Sequence, residues 1–399
     1  MIIEAAKRVA TVEEYYFSRK LAQIEQMNLA REEKIINLGI GAPDGMPPQQ
    51  AIERLCADAM CSNTHAYQSY KGTPELRKAF ADWYERYYGV ALDWRSEIQP
   101  LIGSKEGILL LSMALLNEGD KVLVPNPGYP TYTSASKLTG AEMINYTLCE
   151  DNGWYPDFDA LEKLPLEGVK IMWVNYPNMP TGAPATREVY RRLIDFGRRH
   201  NILIVNDNPY SFVLNDTPLS ILAEEGAMEC CAELNSLSKA HNMSGWRIGM
   251  IAGAKELIEL VLRVKSNMDS GMFRPLQTAA AEALACGDEW YKTLNGEYAA
   301  RKAIASQIFD TLNVTYNPQS QGLFLWGRLP EDLVAKAHSI DPEKCAAEVI
   351  SDIILEQCGV FITPGFIFGN AGNNYLRISL CASQATLVKV IEKIKNLKL

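Results

Sequence analysis

Hydrophobic positions along the chain follow two rhythms. Short β-branched runs bounded by turn residues, at 121–124, 169–175 and 202–206, predict strands. Between them, 104–116 and 187–200 carry apolar residues at helical spacing. Short apolar strands alternating with helices imply a mostly parallel sheet covered on both faces. A helical pattern at 11–34 precedes this unit. The character changes near Gly287, where 288–312 predicts one long polar-faced helix bridging into a second unit. That unit is expected to hold strands at 322–329 and 359–363. It should also hold a helix at 345–357, capped by Asp341 with Pro342 in its first position. In the last helix Leu387, Ile391, Ile394 and Leu397 share one face. The expected architecture is α/β, with a large domain over residues 46–287 and a smaller α+β domain from residues 1–45 and 288–399.

Composition narrows the class. The 399 residues suffice for two or three domains, and 47% hydrophobic with 22% charged residues is ordinary for a soluble globular protein. A formal charge of −9 argues against general affinity for nucleic acid or anionic membrane, while leaving room for a local cationic site. The nine cysteines are scattered without a Cys-x-x-Cys pair, and only four histidines accompany them. No metal site or disulfide framework is expected, and a reducing cytoplasm fits best. The first 17 residues mix charges too early for a secretory signal. The longest apolar stretch, 107–116, falls short of the roughly 20 residues that span a bilayer.

The candidate chemistry gathers at strand ends. Asn235-Ser-Leu-Ser-Lys239-Ala-His-Asn-Met-Ser-Gly-Trp-Arg247-Ile-Gly249 places a lysine between serines, eight residues before an arginine. The strand at 202–206 runs into Asp207-Asn-Pro-Tyr210, and such carboxylates face the ligand crevice of α/β proteins. Gly103-Ser104-Lys105-Glu106-Gly107 opens a helix whose free N–H groups suit a phosphate. Pro125-Asn-Pro-Gly-Tyr129-Pro-Thr-Tyr132 offers aromatic faces, and Asn175-Tyr-Pro-Asn-Met-Pro-Thr-Gly182 forms a turn dense in Pro and Asn. His241 is read as structural, and Cys230-Cys231 as buried thiols. The glycines at 39–45 miss the Gly-x-Gly-x-x-Gly spacing of a dinucleotide loop.

These motifs, with Leu38-Gly-Ile-Gly41-Ala-Pro-Asp44, Tyr67-Gln-Ser-Tyr-Lys-Gly72-Thr-Pro-Glu-Leu-Arg77 and Asn374-Tyr-Leu-Arg377-Ile-Ser379, resemble in order the fold type I, class I/II aminotransferases that use pyridoxal 5′-phosphate. The resemblance covers nearly the whole chain. It implies that Lys239 is the lysine bonded to the cofactor aldehyde and that Asp207 pairs with the pyridine nitrogen. Tyr210 would bond the ring hydroxyl, and Tyr129 would stack on the ring. Ser104, the Lys105 amide, Ser236 and Arg247 would cradle the phosphate. Tyr67 would reach the phosphate of a neighbouring subunit, which implies a homodimer with shared sites. Arg377 would grip the substrate α-carboxylate bidentately, and Gly41 would let the N-terminal segment close over it. The implied reaction moves an amino group between an amino acid and a 2-oxo acid by a ping-pong route, with the freed Lys239 amine as general base.

One position departs from the family. Met179 stands immediately before Pro-Thr-Gly, where the resemblance leads one to expect asparagine, and Asn178 lies one residue earlier. Either the turn is re-registered so that Asn178 reaches the cofactor ring, or Tyr210 holds the ring hydroxyl without it. The second reading is favoured, since one step along an extended chain turns a side chain to the other face. A β/γ-lyase of cystathionine type on the same fold shares Lys239, Asp207 and Arg377 and stands as the alternative. A cofactor-binding regulator lacks residues for a DNA-binding module, and a nicotinamide oxidoreductase lacks its loop. Gly103–Gly107, Asp207–Ser211 and the run from Lys265 through Asp269 to Phe273 resemble the group around LL-diaminopimelate aminotransferase. A polar pocket from Lys105, Asp269 and Arg274 would suit such a substrate, whereas Ile40, Tyr15, Tyr16 and Phe17 would suit an aromatic or branched one.

Overall fold

The structure, a computed structural model, describes residues 3–397; residues 1–2 and 398–399, the outer ends of the expected small domain, lie outside the described residues. At its centre a seven-stranded sheet runs in the order Ile98–Leu101, Gly249–Gly253, Cys231–Ser236, Leu203–Asp207, Val169–Val174, Lys121–Asn126, Glu142–Thr147. Five of these strands pair in parallel, from Cys231–Ser236 across to Glu142–Thr147. Gly249–Gly253 alone runs antiparallel to both of its neighbours. The inner strands are apolar on both faces because helices cover both: Val122, Val124, Ile171 and Trp173 face one buried cluster, and Leu123, Met172 and Ile204 face the other.

The predicted helices appear at Ser104–Leu115 and Arg187–His200, the latter capped by Thr186, whose hydroxyl accepts from Val189 N. The N-terminal pattern forms a shorter helix, Tyr16–Leu29. The long bridging helix is Asp288–Thr311, and it packs on the last helix, Gln384–Lys395. A four-stranded antiparallel sheet in the order Thr363–Pro364, Tyr375–Ser379, Phe324–Arg328, Thr315–Tyr316 carries Arg377 on its second strand. Ile36–Asn37 pairs in parallel with Val360–Phe361 and joins the two ends of the chain.

One capping expectation fails. Asp341 closes the C-terminal end of the helix Glu331–Ile340, and its Oδ1 accepts from Glu343 N at 3.1 Å. The next helix starts later, at Ala346, with Cys345 at its N-cap and no side-chain cap. Local turn chemistry at Asp341 outweighed the helix-start pattern.

The sheet interior also holds a polar core. Glu233 is fully buried and accepts from Tyr84 Oη (2.9 Å), Ser220 Oγ (2.8 Å), Asn206 Nδ2 (2.9 Å) and Ile221 N (3.1 Å). Burial raises its pKa, and the donors oppose that rise. Replacing it with leucine strands four buried donors. Glu233→Leu is therefore expected to cost about 3 kcal/mol or more, read as a lower denaturation midpoint, with Glu233→Gln intermediate.

Candidate active site

The C-terminal ends of the central strands open into one cavity of about 1000 Å³, mouth included. Its lining contains Gly41, Ser104, Lys105, Tyr129, Asp207, Tyr210, Ser236, Lys239, Arg247 and Arg377, ten residues brought together from across the sequence. Asp207 ends its strand at the floor. Tyr132 donates to its Oδ2 at 3.0 Å, while Oδ1 is buried with no partner. Burial pushes this carboxyl up to about 7, against the pull of the Tyr132 hydroxyl. Tyr132 in turn stacks on Trp173, with ring centres 5.1 Å apart.

Above the floor lies a cradle built for an anion. The helix Ser104–Leu115 starts after Gly103, whose φ of +75° places it in the left-handed region. A Cβ at Gly103 would sit 2.1 Å from Arg247 Nη2, so the absence of a side chain lets the guanidinium lie against the helix start. Arg247 is itself left-handed at φ +57°, a conformation costing roughly 1 kcal/mol for a non-glycine residue. Its Nη1 donates to Ser244 O at 2.8 Å and lies 3.3 Å from Ser238 Oγ. Ser236 Oγ lies 2.8 Å from Ser238 Oγ and accepts from Ser238 N, fixing the turn that carries Lys239. Lys105 is an exposed residue on the rim of the cavity: its Nζ sits 4.6 Å from the ring centre of Tyr15, and partial burial followed by the Arg247 charge lowers its pKa.

Lys239 Nζ donates to Gly41 O. A Cβ at Gly41 would meet Phe324 Cζ at 2.2 Å, so only glycine brings this carbonyl so close. Burial, reinforced by Arg377 and Arg247, lowers the amine to about 8. Arg377 closes the far wall. Its Nη2 donates to Gly39 O at 2.6 Å, its Nη1 contacts Met179 Sδ at 3.3 Å, and its Nε is buried without a partner. Phe324 and Phe368 pack on it, with ring centres 3.9 and 4.6 Å away. Burial brings even this guanidinium down to about 10. Among the lining residues Asp207 is the one carboxylate.

Two expected residues fall outside the cavity. Asn178 is buried in its own turn: its Nδ2 donates to Asn175 O at 3.1 Å and its Oδ1 accepts from the Thr181 hydroxyl at 2.7 Å. Met179 takes the lining position instead. Tyr67, expected to reach the phosphate of a neighbouring subunit, is not among the lining residues of this chain's cavity and stands 91% exposed. Of the two substrate pockets weighed above, Lys105, Tyr15, Phe17 and Ile40 line the cavity, while Tyr16, Asp269 and Arg274 do not. Asp269 is paired with Lys265. His241 is buried beside Tyr291, 3.0 Å from its hydroxyl, and burial lowers it to about 3, so it is neutral. Sequence reasoning missed Tyr132, Ser238, Phe324 and Phe368 as lining residues. Tyr132 and Ser238 sit inside quoted motifs, while the two phenylalanines carry no local signal.

The cavity fits pyridoxal phosphate. An unpartnered carboxylate oxygen suits the protonated ring nitrogen, a tyrosine face suits the ring, a lysine suits the aldehyde, and the cationic cradle suits the phosphate. Comparison with known proteins agrees: a family model described as aminotransferase class I and II matches residues 33–394. The LL-diaminopimelate aminotransferase of Aquifex aeolicus is 36% identical over 400 residues, with 100% of each chain covered. That of Oleidesulfovibrio alaskensis is 38% identical, with 98% of each covered. A solved structure of apo-BacF from Bacillus subtilis superimposes with a TM-score of 0.92 at 33% identity, covering 100% of this chain and 99% of that one. A Thermus thermophilus aspartate aminotransferase mutant shares the fold, with a TM-score of 0.89 at 23% identity and full coverage of both chains. The chain belongs to the class I and II aminotransferases. It is a pyridoxal-phosphate-dependent transaminase of amino-acid metabolism.

An amine attacks an aldehyde only when neutral, and Lys239 is neutral above about 8. Reductive trapping of pyridoxal on cofactor-free protein, mapped to Lys239 by mass spectrometry, should rise with pH through a midpoint near 8. An exposed lysine would keep rising toward about 10.5.

Proposed function

We propose that this aminotransferase binds its amino acid through Arg377 and moves the Cα proton with Lys239. The observation that carries the reading is Arg377 itself: a buried guanidinium with no carboxylate partner among the described residues and an unbonded Nε, in the cavity that Lys239 also lines. When bound, pyridoxal phosphate supplies the aldehyde that condenses with amines and the ring that accepts electrons. Asp207 Oδ1 would hold the proton on the ring nitrogen, Tyr129 would face the ring, and Tyr210 would meet the ring hydroxyl. The amides of the helix start, Ser104, Ser236, Ser238 and Arg247 would hold the phosphate. Lys239, released from the aldehyde, would carry the proton between the substrate Cα and its acceptor carbon. The aromatic wall of Phe324 and Phe368 excludes water from Arg377, which strengthens its hold on a carboxylate.

The proposed substrate is LL-diaminopimelate. Full-length relatives bearing that activity in their names support it, as does Lys105, a cation placed in the cavity apart from Arg377. Tyr15, Phe17 and Ile40 at the same cavity favour a second reading, an amino acid with an apolar side chain. We propose also that residues 46–287 form the large domain and 1–45 with 288–399 the small one. The cytoplasm is the proposed location, supported by nine free thiols; no helix among the described residues is long and apolar enough to cross a membrane. A homodimer is supported by exposed Met60, Tyr67, Tyr70, Met268 and Phe273, where the Tyr67 segment abuts Gly271. Sedimentation should give twice the chain mass.

A donor and acceptor screen of the holoenzyme tests the substrate. LL-diaminopimelate should bleach the visible absorbance fastest, with 2-oxo acid formed in step. Pyruvate and ammonia released from a sulfur amino acid without an acceptor would instead establish the lyase. Lys239→Ala should abolish turnover. Arg377→Lys should raise KM for both substrates by roughly 10- to 100-fold through loss of the bidentate grip.

A further inference from the structure

Met179 is 5% exposed, lines the cavity and presents its sulfur 3.3 Å from Arg377 Nη1. The rings of Phe324, Phe368 and Phe17 crowd the guanidinium, which leaves its N–H groups as the polar contact for a ligand. Gly39 O takes Nη2 and Met179 Sδ takes Nη1. The backbone that carries this sulfur is held in place. Met179 N donates to Asn175 Oδ1 at 2.7 Å, and Asn175 Nδ2 donates to the carbonyl of Asp207. A continuous path thus runs from the cavity floor to the carboxylate clamp.

We infer that Met179 is a positioning residue, whose thioether holds the Arg377 guanidinium at the angle that receives the substrate α-carboxylate. The inference rests on the reading of Arg377 as that clamp. A thioether is a weak acceptor, so it orients the N–H group yet yields it readily to a carboxylate. A carboxylate side chain in its place would pair with Arg377 permanently and shut the clamp. An aliphatic side chain would leave Nη1 without a partner and free the guanidinium to tilt. The gain is one of preorganisation and belongs to binding of both amino acid and 2-oxo acid.

The test uses holoenzyme variants that change the acceptor and little else. Met179→Leu should raise KM for both substrates about three- to tenfold, the cost of ordering one loosened side chain on binding, and leave kcat within about twofold. The Kd of maleate, a substrate-free carboxylate probe read by calorimetry, should weaken by the same factor. Met179→Gln, which restores an acceptor as an amide oxygen, should recover most of the loss. Met179→Ile is the second acceptor-free variant should the leucine protein not fold. Unchanged maleate binding in the acceptor-free variant, or a glutamine variant no better than it, overturns the inference. Arg377→Lys separates the two levels. If it leaves KM unchanged, the clamp reading falls and the inference with it. If it raises KM while the Met179 variants bind normally, the Met179 inference alone falls.

Discussion

The site depends on opposite charges buried without each other. Asp207 at the floor keeps one carboxylate oxygen unpaired, and Arg377 at the wall keeps one N–H unpaired. Either group, left alone in a low-dielectric interior, costs several kcal/mol. The pair could neutralise itself if the side chains met. They do not, because each is fastened by its own scaffold: Asp207 by its strand and Tyr132, Arg377 by an antiparallel sheet and two aromatic rings. The cost is carried by the surrounding core, and what it leaves is a cavity that welcomes a cationic ring nitrogen at one end and a carboxylate at the other.

The net charge of the chain says nothing about this arrangement. A protein carrying −9 lines its cavity with Lys105, Lys239, Arg247 and Arg377 against a single carboxylate. Crowding those cations together has a chemical effect as well as an attractive one. Burial, and after it repulsion from Arg377 and Arg247, lowers the Lys239 amine toward neutrality, where it is a base and nucleophile rather than a spectator.

Much of the site was legible because its residues sit on short, stereotyped strand-end motifs. Lys239, Asp207, Arg247 and Arg377 all face one cavity; the first three sit in turns marked by two serines, a Pro-Tyr and a glycine, while Arg377 stood out only through the family resemblance of its motif. The parallel sheet followed from apolar runs buried on both faces. Three kinds of feature escaped. Phe324 and Phe368 are ordinary core residues by sequence, and only the fold brings their rings to Arg377. The role of Asn178 turned on which way one side chain points in a proline-rich turn, where its amide is consumed by Thr181 and Asn175. Asp341 met a helix-start pattern and a helix end within a few residues, and local geometry decided.

The pairing of Ile36–Asn37 with Val360–Phe361 bears on how the molecule comes into being. Gly39 and Gly41, whose carbonyls hold Arg377 and Lys239, hang directly from that pairing. Their partner strand emerges from the ribosome only when nearly the whole chain has been made. Closing so long a loop costs more entropy than forming the local helices. The backbone carbonyls that hold Arg377 and Lys239 are therefore set by a contact between the two ends of the sequence, and the carboxylate wall cannot form before the C-terminal strand is present.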